Sequence, residues 1–208
     1  MDKRDQSCWA KDDLIGGHPV LDFLNTAGGK TKLWDVERLI DFETFLEWSV
    51  VANVLSEREA HALKGSAHGE PAAADAALAD ARCFREALHC CFIAEQANQD
   101  WPKKQRGQVM AAIRDSLLKA HLEKHGEHYE WTIPERQSNL TLPLIKIVLA
   151  TEALLRSDDL ARMRNCDHCS WLFIDRGRGR ARRWCSMAAC GSRAKSARYY
   201  RRRMAEPS

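Results

Sequence analysis

Four cysteines near the carboxyl-terminal end of this 208-residue sequence have a spacing suited to metal binding. Cys166 and Cys169 form one close pair, and Cys185 and Cys190 form a second. A two-residue gap lets one tight turn present both sulfurs to a single ion, and Zn²⁺ prefers four tetrahedral thiolate or imidazole ligands. Because four thiolates leave no position for water, the pattern predicts one structural zinc ion rather than a catalytic one.

Two alternatives to this ligand set stay open. His168 lies between the first two cysteines and could replace one ligand, although four cysteines already suffice. The cysteines could also be ordinary core residues. Disulfides are not expected, because the charged start at 1–5 leads into no apolar core of a signal peptide. We therefore expect a cytoplasmic protein, in which clustered cysteines bind metal more often than they form disulfides.

The elements that must position the cysteines can be predicted from the segments around them. Residues 171–174 are typical of a strand, 176–180 of a turn and 182–184 of a returning strand. Cys185 would then end the second strand, and Cys190 would lie near the first turn of a terminal helix. This arrangement is similar to a treble-clef or zinc-ribbon finger, and a module this small needs its metal to fold.

The same end of the chain carries a concentrated positive charge. The net charge of +3 divides into +10 on residues 161–208, with 13 Lys and Arg against 3 Asp and Glu, and −7 on residues 1–160, with 19 against 26. Arginine forms bidentate hydrogen bonds with phosphates and with guanine in the major groove, so this pattern favours duplex DNA as the partner. The predicted nucleic-acid-binding residues are Arg176, Arg178, Arg180, Arg182, Arg183, Arg193, Lys195, Arg198, Arg202 and Arg203.

Other uses of this basic surface stay open. RNA or a protein of the transcription machinery could be the partner, and a basic face can also be merely solvated. A homodimer would help a single finger to gain specificity. No apolar run is long enough to cross a bilayer, so a membrane is not an expected partner.

The rest of the chain is predicted to be mostly helical. Apolar spacing, a capping box at 56–59 and prolines at helix starts predict helices at 35–55, 56–65, 71–98, 105–125 and from 143 onward. Alternation predicts strands at 129–133 and 139–142, whereas 16–26 could be strand or helix. The predicted class is mainly α: a helical amino-terminal domain, 12–158, with a small β-hairpin, and a zinc finger, 159–208, that ends in a basic helix.

Several segments together resemble a known family. Residues 171–176, 182–187 and 190–195 are similar to the bacterial CGNR zinc finger, and residues 16–26 resemble the opening of the ABATE domain. The resemblance implies a stress-linked transcription regulator whose finger binds DNA, and it places the zinc ligands on the four cysteines. The asparagine that names the motif is Ser192 here, so sequence preference could differ from that of relatives.

Outside the finger, His18, Asp22 and Asn25 form the best polar cluster. They could line a pocket for a small-molecule effector, or serve in turns and caps. The sequence shows no Ser/His/Asp order, paired-carboxylate pattern or glycine-rich cofactor motif, so we expect a protein that is not an enzyme. A small-molecule enzyme in the helical domain remains the weaker alternative.

Two further patterns have weaker support. Gly28-Gly29-Lys30-Thr31 resembles the end of a phosphate-binding loop, but that motif needs a glycine where Leu24 stands. His121 and His125 would lie one turn apart on the predicted helix, with His128 just beyond it. They could hold a second metal ion, although exposed histidines near a helix end are the commoner case.

Overall fold

The computed structural model describes residues 9–34, 36–134 and 139–205, with the side chains of 198–202, 204 and 205 excepted. The helices are α1 (Pro19–Leu24), α2 (Phe42–Val51), α3 (Glu57–Gly69), α4 (Pro71–Gln96), α5 (Lys103–Leu117), α6 (Leu142–Leu155) and α7 (Ser192–Ala205). The strands form two antiparallel pairs, β1 (His121–His125) with β2 (His128–Thr132) and β3 (Met163–Asn165) with β4 (Leu172–Ile174). The predicted class, mainly α with a small hairpin and a finger ending in a helix, is confirmed.

The segment at 16–26, whose sequence allows either strand or helix, contains the buried helix α1. Pro19 stands at its first position, where no backbone N–H is needed, and the Val20 N–H donates to the ring of His18 at 3.2 Å. Phe23 is fully buried and packs against the ring of Trp48, with centroids 5.6 Å apart. All residues of α1 after the proline are buried, so this helix forms part of the core itself.

Helix α2 begins later than the predicted range of 35–55. The carboxylate of Asp41 accepts the Thr44 N–H at 2.7 Å and thereby caps the helix. Before this cap, Ala27 and Glu37 form an antiparallel bridge, so the chain there is extended. The prediction is therefore wrong for 36–41 and also for 52–55, because α2 ends at Val51, while residue 35 lies outside the described ranges.

The next helix boundaries are partly as predicted. Ser56 and Glu59 form the expected capping box, which starts α3. The predicted stop at Gly65 and the loop at 66–71 are wrong, because α3 continues to Gly69 and only one residue separates it from α4. Pro71 begins α4 as expected.

The predicted helix at 105–125 is too long at its end. Helix α5 stops at Leu117, and residues 121–125 form β1, which turns back at Gly126 into β2. Gly126 has a φ of 62°, a left-handed conformation that suits a tight turn. The predicted strand at 139–142 is wrong, because β1 is the partner of β2. Residues 135–138, between the two predicted strands, lie outside the described residues.

Helix α6 lies where the sequence predicts a helix, from residue 143 onward, and it packs in the helical core. Its apolar residues cover most of its circumference, and it contacts α1, α4 and α5. Nothing among the described helices combines the length and the apolar character that crossing a bilayer would require.

The finger hairpin differs from its prediction in one strand. Strand β4 forms where expected, but it pairs with β3, which precedes the first two cysteines, and not with 182–184. The main-chain N–H of Ile174 also donates to the carbonyl of Gly16 at 2.8 Å. Strand β4 therefore forms hydrogen bonds with β3 along one edge and with the segment that leads into α1 along the other.

Candidate zinc centre and basic surface

The four predicted cysteines converge in the structure. The sulfurs of Cys166, Cys169, Cys185 and Cys190 all lie within 4.8 Å of one another, and all four residues are buried. The Cys169 and Cys185 sulfurs are 3.7 Å apart, and those of Cys185 and Cys190 are 3.6 Å apart. Two pairs of cysteines that lie 16 to 24 positions apart in sequence thus form one compact thiol cluster.

This cluster fits one structural zinc ion. Zn–S bonds of about 2.3 Å in a tetrahedron place neighbouring sulfurs about 3.8 Å apart, close to the separations found here. A disulfide would need about 2.05 Å, and all described cysteines are free thiols. Because the four sulfurs fill a tetrahedral coordination sphere, the ion would stabilise the fold rather than bind a substrate.

The pKa shifts within the cluster also favour a bound cation. Hydrogen bonds from Cys169 and Cys185 lower the pKa of the Cys166 thiol, so one thiolate is favoured. That interaction with Cys166 in turn raises the pKa of Cys169 to about 12 and that of Cys185 well above its ordinary range. Four thiolates are therefore stable together only around a metal ion, which lowers thiol pKa values strongly.

Local backbone bonds explain how each pair is formed. Cys166 and Cys169 occupy the turn between β3 and β4, where the Cys166 N–H donates to the Trp171 carbonyl at 2.9 Å. The second pair is brought in by the Asp167 N–H, which donates to the Arg183 carbonyl at 2.9 Å. This bond joins the two halves of the metal site.

The last ligand lies in a wide π-helical turn, Met187–Gly191, that leads into α7. The Ser186 hydroxyl accepts the Ala189 N–H at 3.3 Å and caps this turn. Ser192, which replaces the expected asparagine, donates its hydroxyl to the Met187 carbonyl at 3.2 Å. Ser186, and not Ser192, thus caps this turn.

The finger is attached to the helical core by a contact that the sequence did not reveal. The side-chain amide of Asn25, at the end of α1, donates to the Leu172 carbonyl at 2.9 Å and accepts the Leu172 N–H at 3.0 Å. Asn25 is 4% exposed and Leu172 is fully buried. The Asn25 side chain therefore forms the two hydrogen bonds with the main chain of β4 that a neighbouring strand would otherwise form.

The glycine pair beside this contact is part of the same attachment. The Gly29 N–H donates to the Ser170 hydroxyl at 3.2 Å, and the Trp171 indole donates to the Ala27 carbonyl at 2.9 Å. A side chain at Gly28 or Gly29 would overlap Ser170 or Trp171, and both glycines have positive φ. The close approach of the finger explains the glycine pair, whose sequence resembles the end of a phosphate-binding loop.

A lysine from the same segment reaches the metal site. Lys32 donates to the Asn165 side chain at 2.6 Å and to the Cys166 carbonyl. Its ammonium group thus binds the main chain at the first cysteine of the cluster. Spacing in the sequence offers no signal for such a contact, since more than 130 residues separate the two partners.

Each residue of the predicted pocket has an internal partner. His18 caps α1, and burial lowers its pKa. The carboxylate of Asp22 accepts the Gly16 N–H at 2.7 Å, and burial raises its pKa to about 6. Asn25 binds β4, as described above. The turn and capping roles are therefore filled, while a ligand at these residues stays a prediction.

Two of the predicted nucleic-acid-binding arginines also support the finger. The Arg182 guanidinium lies 4.2 Å from the Phe173 ring centroid and donates to the Cys185 carbonyl at 3.0 Å. Arg183 pairs with Asp167, with 2.6 Å between the charged atoms. Arg182 thus contacts the second cysteine pair, and Arg183 contacts the turn that carries the first pair.

Arg176 connects the finger to the chain segments next to it. It donates to the Gly17 carbonyl at 2.8 Å and pairs with Asp159. Its side chain is still about half exposed.

The turn between Arg176 and Arg183 is organised by one carboxylate. Asp175 accepts the Gly177 N–H at 3.1 Å and the Arg182 N–H at 2.9 Å, and these bonds lower its pKa. We name residues 176–183 the arginine loop. Arg178 and Arg180 are exposed between its two tied ends.

The remaining predicted residues lie on α7. Arg193, Lys195 and Arg203 are exposed, whereas the side chains of Arg198 and Arg202 lie outside the described residues. The role of all ten basic residues in nucleic-acid binding stays a prediction.

Four cysteines that form a closed metal site between a hairpin turn and the start of a helix define this chain as a structural zinc-finger protein. Residues 162–203 match the CGNR zinc finger family. Residues 17–158 match the ABATE family, described as "Putative stress-induced transcription regulator". The protein belongs to the ABATE family, since that match covers more than half of the chain. A comparison with curated proteins finds no significant match.

Proposed function

We propose that this zinc-finger protein binds duplex DNA through its arginine loop and α7 and thereby regulates transcription. The observation that carries the proposal is an exposed arginine loop whose ends are tied by Asp175 next to a metal site. The role proposed is binding and not catalysis. Residues 12–158 would sense a signal or dimerise, and residues 159–208 would contact the DNA in the cytoplasm.

The chemistry of the arginine loop suits phosphate recognition. Arg178 and Arg180 alternate with Gly177 and Gly179, and an added side chain at Gly179 would meet no atom within 4 Å. A phosphate backbone can therefore approach the loop closely, and each guanidinium can bind it through two hydrogen bonds. Because the tied ends already restrict the loop, less conformational entropy is lost on binding.

The attachment of the finger supports a role for the helical residues in controlling it. Asn25 joins α1 directly to β4, and the first cysteine pair lies in the turn that β4 closes. A ligand or second subunit that shifts α1 would therefore shift the finger.

The test is the salt dependence of DNA binding, measured by fluorescence anisotropy with the full zinc-loaded chain. Each phosphate contact contributes about 0.9 to the slope of log affinity against log salt concentration. We expect the double variant Arg178→Ala/Arg180→Ala to bind more weakly and to lose about 1.8 from this slope. The double variant Lys103→Ala/Lys104→Ala removes the same charge from exposed positions on α5 and should leave the slope unchanged.

Three outcomes would overturn the proposal. The full chain could bind no duplex at low salt, or both double variants could weaken binding equally, which would indicate only non-specific charge. Stronger binding to single-stranded or structured RNA of the same length would instead assign the finger to RNA. Binding to neither nucleic acid would favour a protein partner.

A further inference from the structure

The β1–β2 hairpin is unusually exposed for a structural element. Nine of its ten strand residues are exposed, and the turn contains only Gly126 and Glu127. A two-stranded hairpin without further support is marginally stable in water. An additional interaction that joins the two strands would therefore have a large effect on this element.

The register of the hairpin gathers metal-binding side chains on one face. His125 lies directly opposite His128, and Glu123 lies directly opposite Glu130. Because side chains alternate along a strand, these four residues share one face. The sequence predicts a helix for His121 and His125, with His128 beyond it. The strand pairing instead brings His125 and His128 together, at the end of β1 away from His121.

The charges on this face favour a cation. Like charges directly opposite each other destabilise a strand pair, and Glu123 and Glu130 form such a pair. Glu127 in the turn adds a third carboxylate within 121–132, where the only lysine or arginine is Lys124, on the opposite face. The His125 ring nitrogen already lies 3.9 Å from a Glu123 carboxylate oxygen. A divalent ion between these groups would convert the repulsion into attraction.

We propose that His125, His128, Glu123 and Glu130 form a second zinc site, on the face of the hairpin. Opposite Cβ atoms in such a pair are about 5 Å apart, and successive pairs on a face are about 7 Å apart. Imidazole and carboxylate groups reach across these distances to an ion about 2.0–2.2 Å from each ligand atom. Two histidines and two carboxylates form a donor set that suits Zn²⁺.

The site closes by rotation of its side chains. Among the described residues, the finger cysteines are the one group of three or more potential ligands whose atoms lie within 4.8 Å of each other. The hairpin site is therefore weaker than the finger site and exchanges with free metal.

Zinc would also fix one wall of the groove next to the hairpin. Leu122, Tyr129 and Trp131 are exposed on the opposite face, and they line a groove of about 950 Å³ together with His125, Glu130 and residues of α6. Joining β1 to β2 would hold these side chains in place, so zinc at the hairpin orders this wall of the groove.

The experiment is a calorimetric zinc titration of the full chain after its finger has been loaded with one zinc ion. We expect one further equivalent of zinc to bind. The double variant His125→Asn/His128→Asn should lose at least tenfold in affinity for this second ion while it retains the first. His61→Asn changes an exposed histidine on α3 and serves as the matched control.

Hydrogen exchange of the hairpin amides gives an independent readout. Added zinc should slow exchange across β1 and β2 in the original protein and in the His61→Asn control, but not in the double variant. The proposal is wrong if no second equivalent binds at millimolar zinc, or if the double variant binds it as tightly as the original protein.

Discussion

Replacing Asn25 with alanine tests the attachment of the finger to the helical core. The substitution removes both hydrogen bonds to Leu172 and leaves its N–H and carbonyl buried without these partners. Each buried group left unsatisfied costs about 1–3 kcal/mol. Allowing for partial relaxation, we expect the free energy of unfolding to fall by about 3 kcal/mol.

This loss can be measured by thermal and urea unfolding of the zinc-loaded chain. For a protein of this size, 1 kcal/mol corresponds to about 2–4 °C, so the Tm should fall by about 6–12 °C. A chelator should also remove zinc faster from the variant, because β4 helps to hold the first cysteine pair. Gln108→Ala, at an exposed position on α5, should change stability by less than about 0.5 kcal/mol.

The reasoning would be refuted by a loss below about 1 kcal/mol together with unchanged zinc release. That result would mean that the finger and α1 fold independently and that the amide contact contributes little to stability.

Three further predictions concern the same part of the molecule. Gly29→Ala should destabilise the protein by more than 2 kcal/mol in urea unfolding, because its φ of 97° and the Trp171 indole both oppose a side chain; Gly65→Ala, inside exposed α3, should stabilise it by about 0.5–1 kcal/mol. Burial raises the pKa of Asp22 from 3.8 to about 6, so the folded state holds the proton more tightly. Its contribution to stability should therefore fall by about 3 kcal/mol as the pH rises from about 4 to about 6, and Asp22→Asn should remove this part of the pH profile. Thiol modification should release one tightly bound zinc ion per chain, and Cys185→Ser should prevent its binding; retention of that ion by the serine variant would contradict the ligand assignment.

The zinc centre could be predicted from the sequence because its signal is local. Cys166 and Cys169 occupy one turn, while Cys185 precedes a second turn that contains Cys190, so their spacing reflects the geometry directly. The capping box that starts α3 is local in the same way.

The attachment of the finger could not be predicted, because it depends on contacts between distant residues. Asn25 and Leu172 are 147 positions apart, and nothing in the spacing of either indicates the other. The error at 121–125 has a different origin: Leu117, Leu118 and Leu122 fit a helical period, but the turn at Gly126 allows pairing with β2.

The most direct test of the central claim is selection from a mixed pool of random duplex DNA and random RNA by the full zinc-loaded chain. We expect duplex DNA to be recovered, and its recovery to be lost in the Arg178→Ala/Arg180→Ala variant. Recovery of RNA alone, or of neither nucleic acid, would contradict the claim that this zinc finger contacts DNA.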